Sequence, residues 1–299
     1  MATIAIIKKK LRVLASYTIF PLGMCLFVWL YIHVAAASGN LADFENLPGI
    51  GLLSFVTIGV IIILEWVLPF NKSWNIYRLE DGNDFLHFVF SALSADTLSR
   101  IAVNMAAPML LSRMPNSWLI WPTAWPFGLQ VCFALFLYDF TYYWYHRLFH
   151  GSKWLWRIHR IHHSSHKLTF SKTFRFNFIE IFIENLLLLG VLKLFAAPPE
   201  VMVWAMAMVN FTVLVKHANL DVRFPRWLDW VFVSPGNHRR HHSSDLTESN
   251  SNFGGFTMLW DVLFGTYKNG LDYSGAPLGV KGHKLSTHFL GQAFDFLKP

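Results

Sequence analysis

Long apolar stretches dominate this chain, and short polar stretches separate them. Apolar runs fill roughly residues 12–37, 49–69, 85–111, 127–149, 178–197 and 199–217. A helix needs about 20 apolar residues to cross a bilayer, so the pattern predicts six spans. The third run carries Asp96 and Arg100, four apart on one helical face. It reads as an internally paired span or a partly buried re-entrant one. The last two runs are joined by Ala-Pro-Pro-Glu at 197–200, a tight helical hairpin in which proline opens the second helix.

Composition agrees with the pattern. Of 299 residues, 54% are hydrophobic and 14% are charged, against about 25% charged in a soluble domain. The net charge of +7 does not indicate a nucleic-acid surface, because the basic residues flank the apolar runs and so encode topology. Six spans put both termini on one side. That side then holds 22 of the 25 Lys and Arg residues, and the positive-inside rule makes it cytosolic. Arg113 alone falls in the opposite loops, and Arg100 and Lys193 lie within spans.

Cys25 and Cys132 both sit inside apolar runs, which argues against a disulfide framework or a thiolate metal site. The opening MATIAIIKKKLR leads into a long apolar stretch without a small-residue cleavage site, and reads as a retained helix. Trp118, Trp121 and Trp125, with Pro115, Pro122 and Pro126, precede the fourth run and are expected as interfacial anchors on the non-cytosolic surface. In the tail, Phe289, Leu290, Ala293, Phe294 and Leu297 fit one face of a short interfacial helix. Three regions follow: an N-terminal transmembrane region (1–125), a central metal-binding region (126–269) and a C-terminal tail (270–299).

The 14 histidines are unevenly spread. His146 and His150 form HRLFH at the cytosolic end of the fourth run. His159, His162, His163 and His166 crowd HRIHHSSH. His217 ends the sixth run, and His238, His241 and His242 form HRRHH. Histidines three or four apart share a helical face, while adjacent ones diverge by about 100°. Apart from His166, these nine exceed the ligand need of one tetrahedral ion and suit two. Imidazole serves Zn, Fe, Cu and Ni, so zinc could also occupy such a site in a purified sample. His166 reads as a solvated loop histidine. His33, His87, His283 and His288 stand alone and read as non-ligands.

Metal-bound rings need acceptors for their second N–H. Asp139 and Tyr143 share a helical face with His146 and His150, so Asp139 is expected to support them. Asn177, Glu180 and Glu184 line one face of the fifth run. They either orient ligands or bond neighbouring helices. A metal-ion transporter or sensor with a cytosolic histidine cluster is the competing reading, although transporters place their ligands near the bilayer midplane.

The order Asp-x-x-x-Tyr-Trp-x-His-Arg-x-x-His (139–150), His-x-x-His-His-Ser-Ser (159–165), His217, then HRRHH and NFGGFTMLWDVLFGTY (252–267) resembles the fatty acid hydroxylase/sterol desaturase superfamily of membrane enzymes. The resemblance covers about residues 130–269. It implies an all-α, multi-span membrane protein with a cytosolic histidine-rich helical cap. It implies two iron ions held by His146, His150, His159, His162, His163, His238, His241 and His242, with His217 matching a further family histidine. Some members carry another histidine a turn later, where this chain has Asp221. Asn252, Trp260 and Asp261 match positions of structural role. The implied reaction is O2-dependent hydroxylation or desaturation of a lipid C–H bond in a fatty acyl chain, sterol or ether lipid. No dinucleotide fingerprint, iron–sulfur cysteine set or haem module is present in the sequence, so electrons are expected from a separate reductase or small carrier. Lys153, Arg157, Arg160, Arg223 and Arg226 are the expected docking residues.

Overall fold

The computed structural model describes residues 2–39, 48–76, 81–113, 121–270 and 277–298. Thirteen α-helices follow one another in these residues, and no strand forms among them. The long helices are α1 (Ala2–Ala37), α2 (Pro48–Val67), α4 (Ser94–Leu111), α5 (Phe127–Gly151), α7 (Phe178–Leu194) and α8 (Pro199–Lys216). Shorter ones are α3 (Gly82–His87), α6 (Lys153–His163), α9 (Arg226–Asp229), α10 (Pro235–His241), α11 (Leu246–Ser249), α12 (Leu259–Leu263) and α13 (Phe289–Ala293).

Three helices are long and apolar enough to cross a membrane: Lys9–Ala37, Gly49–Val67 and Pro199–Lys216. They correspond to the first, second and sixth predicted runs. Leu22, Trp29, Leu52 and Trp66 stand exposed on the first two, as a lipid-facing surface requires. The other three runs differ for local reasons. Residues 85–111 are divided, because α3 passes through a π-helical turn at Phe88–Leu93 before α4 begins. Helix α4 also carries Asp96, Arg100 and Asn104. Gln130, Asp139 and a tyrosine-rich second half dilute the apolar run of α5, and α7 has only 17 residues. Six predicted spans therefore become three helices of spanning length and apolarity among the described residues.

Helix α1 packs along α8, α4 along α7, and α5 against α6, α7 and α8. A Cβ on Gly23 would lie 2.8 Å from the Phe211 ring, so glycine there lets α1 and α8 approach closely. Phe20 packs edge-on against Phe211 and Phe224. Ser152 is extended and separates α5 from α6, which folds α6 back on α5. A buried ionic cluster ties the segment after α6 to α3: Lys172 Nζ meets Asp81 at 2.5 Å and Asp84 at 2.6 Å, and Arg175 and Lys167 complete it.

Two surface expectations change. Trp121 is buried and donates to Gln130 Oε1 at 2.8 Å, so it packs against α5 instead of anchoring at a surface. Trp125 is exposed, and Trp118 lies outside the described residues. In the tail, Leu290, Phe294 and Leu297 face outward, but Phe289 turns in against His87 and Phe90. Polar side chains hold this segment down. Gln292 bonds the His87 ring, and buried Asp295 pairs with Arg160, His283 and Lys298. Arg160 is thus enclosed, which removes it from the expected docking surface.

Candidate metal centre

The histidines converge where the C-terminal ends of α5 and α8 meet α6 and α10. Each contributing helix is set up locally. His146 and His150 are one turn apart on α5, and His159 and His163 one turn apart on α6. Helix α10 opens with Pro235 at its first turn and a reciprocal capping box between Ser234 and Asn237, which fixes the start of HRRHH. His217 and His242 are the C-cap residues of α8 and α10. Glu65 of α2 accepts the backbone N–H groups of Phe170 and Asn219, and so anchors the chain just after His217.

All nine histidines expected as ligands fall into two groups. One holds His146, His150, His159, His163 and His241, and the other His162, His217, His238 and His242. Within each group the ligand nitrogens lie within 4.8 Å of one another. Each H-x-x-H-H motif serves both groups, because adjacent rings diverge about the helix axis. His163 and His242 bridge the groups with stacked rings 4.3 Å apart. His166 is exposed, bonds the Leu278 carbonyl and joins neither group. His33, His87, His283 and His288 also lie outside both. Asp221 pairs with Arg12 and Arg223 and stays clear of the rings.

Proton accounting decides what the first group presents. His146 Nδ1 lies 2.9 Å from the Phe253 carbonyl, and His241 Nδ1 lies 2.7 Å from the Ser251 carbonyl. His159 Nδ1 bonds the Glu180 carboxylate. Carbonyl and carboxylate oxygens only accept, so all three rings donate through Nδ1. A neutral ring that donates there has a bare lone pair at Nε2. Those atoms face one another: His146 to His159 at 3.3 Å and His241 to His146 at 3.0 Å. Lone pairs at that spacing repel unless a cation lies between them. In the second group, Nε2 separations are 3.1 Å for His217–His162, 2.8 Å for His238–His217 and 3.1 Å for His242–His238. These match the edges of a coordination polyhedron with metal–nitrogen bonds of about 2.0–2.1 Å. The donor set therefore fits two metal ions held by neutral imidazoles. Burial keeps the rings neutral. It pushes His162, His163, His238 and His242 well below the ordinary imidazole value and His241 down to about 3, and nearby imidazoles act in the same direction.

Of the expected supporting residues, Glu180 alone bonds a ring. Asp139 is the main correction. Its carboxylate accepts the backbone N–H groups of Gly255, Phe256 and Thr257 and the Thr257 hydroxyl. The loop from the far end of the motif folds over it, out of reach of the histidines. Tyr143 bonds Thr266 and accepts from Arg147. Asn177 caps α7 and donates to the Ala293 carbonyl. Glu184 lines cavities beside the histidines without touching a ring.

Asn250, Ser251 and Phe253 support the rings although no spacing in the sequence marks them. Asn250 reaches His150, while Ser251 and Phe253 hold His241 and His146. Between them Asn252 adopts a left-handed conformation with φ 57, and its side chain ties Asn237 to Lys268. Asp261 accepts the N–H groups of Phe253 and Gly254. A Cβ on Gly254 would lie 2.1 Å from the Thr257 carbonyl, so this turn requires glycine. Phe176 stacks on His162 at 3.8 Å. Its loop position carried no sequence signal, whereas Asn252 and Asp261 belong to the motif that suggested the family.

A fatty acid hydroxylase family profile matches residues 131–266. An ornithine lipid hydroxylase from Rhizobium tropici is 34% identical over 89% of this chain and 81% of its own length. An alkylglycerol monooxygenase from Xenopus tropicalis is 26% identical over 75% of this chain, which spans 48% of that protein. A fatty acid hydroxylase from a Lecanicillium species is 26% identical over 55% of the chain and 49% of its own length. No solved structure matches. Histidine order, the motif at 252–267 and the extent of these similarities lead to one conclusion: the chain belongs to the fatty acid hydroxylase/sterol desaturase superfamily.

Proposed function

We propose that the protein is a membrane oxidoreductase that uses O2 to hydroxylate a C–H bond of a membrane lipid at a non-haem di-iron centre. The observation that carries this reading is the division of nine histidines, eight of them buried, into two groups whose ligand nitrogens lie within 4.8 Å of one another. His146, His150, His159, His163 and His241 would hold one ion, and His162, His217, His238 and His242 the other. Iron with O2 supplies the oxidising power for an unactivated C–H bond. The overall balance is R–H + O2 + 2e⁻ + 2H⁺ → R–OH + H2O. Hydroxylation is preferred to desaturation because the relatives carry hydroxylase and monooxygenase names.

The chain's own residues set the site. Glu180, Ser251 and Phe253 hold Nδ1 protons and aim three rings. Phe176 covers His162 and helps to exclude water. The Lys and Arg residues crowded into the segments that carry the histidines support a cytosolic position for the centre under the positive-inside rule, where an external carrier would deliver electrons. Lys153, Arg223 and Arg226 are exposed and Arg157 lies half-buried over Trp154, so these four residues remain the docking candidates. Lys153→Glu with Arg157→Glu should lower carrier-supported turnover at unchanged iron content, and unchanged turnover removes this surface from the proposal.

The deciding experiment compares lipids from cells carrying the wild type or His162→Ala, with and without O2. A hydroxylated lipid that requires both the histidine and O2 is expected. Identical profiles in a host that supplies substrate and reductant, with expression verified, would refute the function.

A further inference from the structure

Two cavities meet inside the helix bundle and lead from its outer helices to the histidines. The outer cavity has a volume of about 440 Å³ and reaches Phe55 and Gly51, exposed on α2. Its deeper wall includes Ile58, Leu188, Leu189 and Met206. The inner cavity, about 240 Å³, is walled by Tyr142, Phe176, Lys216 and His217. Asp96, Thr173, Phe174, Glu184 and Asn185 line both cavities, so they mark the junction of one passage.

The passage changes chemistry along its length. Its wide outer part is mostly apolar. At the junction Asp96 accepts from Arg100 at 2.8 Å and from Asn185 at 3.0 Å, which fixes the Asn185 amide. Thr173 is 7% exposed, and its hydroxyl has no hydrogen-bond partner. A buried unpaired hydroxyl costs about 1–3 kcal/mol, and a polar group on a bound molecule would remove that cost. Glu184 and Lys216 add further polar groups towards His217.

We propose that the passage binds its lipid with the polar end inward. A hydroxyl, amide or ester group sits at Thr173 and Asn185, and the hydrocarbon tail lies in the outer cavity. The carbon that is oxidised then lies in the polar head or within a few bonds of it. The opposite orientation would press methylene groups against Asp96, Glu184 and Lys216, leave Thr173 unpaired and put the polar head in the apolar outer cavity. Thr173 and Asn185 are accordingly specificity-determining residues. This inference rests on the lipid hydroxylase function proposed above.

The product made by wild-type membranes locates the oxidised carbon by tandem mass spectrometry. The new hydroxyl is expected in the head group or on the carbons next to it. A hydroxyl in the distal half of a hydrocarbon chain would overturn the head-inward orientation and leave the hydroxylase function standing. Absence of any product from iron-loaded protein would overturn both. With the parent lipid so identified, Thr173→Val and Asn185→Leu should each raise KM about tenfold, the worth of one hydrogen bond, at nearly unchanged kcat and iron content. Thr173→Ser, which keeps the hydroxyl, should restore the wild-type KM. Equal behaviour of the Val and Ser variants would overturn the role of Thr173.

Discussion

Glu180 accepts the Nδ1–H of His159, and neither side chain reaches solvent. The carboxylate fixes the tautomer and raises the basicity of the opposite nitrogen, an arrangement that supports metal-bound imidazoles generally. Glu180→Gln keeps the size of the side chain but removes its charge. We expect metal affinity at the five-histidine group to fall by about 10–100-fold, read as loss of one of two metal equivalents by elemental analysis. Retention of both at wild-type affinity would contradict the assignment.

Asp139 predicts a different kind of failure. Its carboxylate satisfies three successive backbone donors and one hydroxyl. The substitution Asp139→Asn sets an amide N–H2 against some of those donors. It should destabilise the purified protein by about 1–3 kcal/mol, seen as a lower midpoint of thermal inactivation. An unchanged midpoint would show that the loop at 255–257 is held by other contacts.

Acidification supplies a third test. An ordinary histidine titrates near 6.5, but in the folded protein burial holds His162, His163, His238 and His242 well below that and His241 at about 3. The unfolded chain therefore binds more protons between these values. Stability conferred by the neutral rings is complete above about pH 6.5 and is lost as pH falls towards 3. Metal-free protein should lose stability steeply below about pH 6, as followed by chemical denaturation at graded pH. A flat profile from pH 7 to 4.5 would show that the rings are not enclosed as described.

Asp295 should control the tail. It is buried and receives Arg160, His283 and Lys298. Asp295→Ala leaves Arg160 enclosed without its carboxylate. Trypsin cleavage at Lys281 and Lys284 should then accelerate by roughly tenfold, the effect of losing about 1.4 kcal/mol of local stability. Cleavage at the wild-type rate would mean that Gln292 and Phe289 suffice to hold the segment.

Spacing within a helix was legible in the sequence, and packing between distant segments was not. Histidines four apart announce a shared face, and topology placed all the motifs at one end of the bundle. Their division into five and four depends on how α6 and α10 are rotated about their axes, which spacing alone does not specify. Asp139 shows the limit clearly. It shares a face with His146, but its partners lie 116 to 118 residues away. Thr173 lies in a short 3-10 helix and Phe176 just after it, in a connection between α6 and α7 too short for periodicity to mark them. The π-helical turn at 88–93 divides an apolar run without any change in hydropathy, so run length alone does not announce that break.

Asn252 gives the centre a property that no ligand possesses. Its left-handed turn sends the carbonyls on either side of it to rings from different helices, Ser251 to His241 on α10 and Phe253 to His146 on α5. Two tautomers are thereby written into the handedness of one backbone residue. One backbone conformation thus couples the aim of a ring on α5 to the aim of a ring on α10.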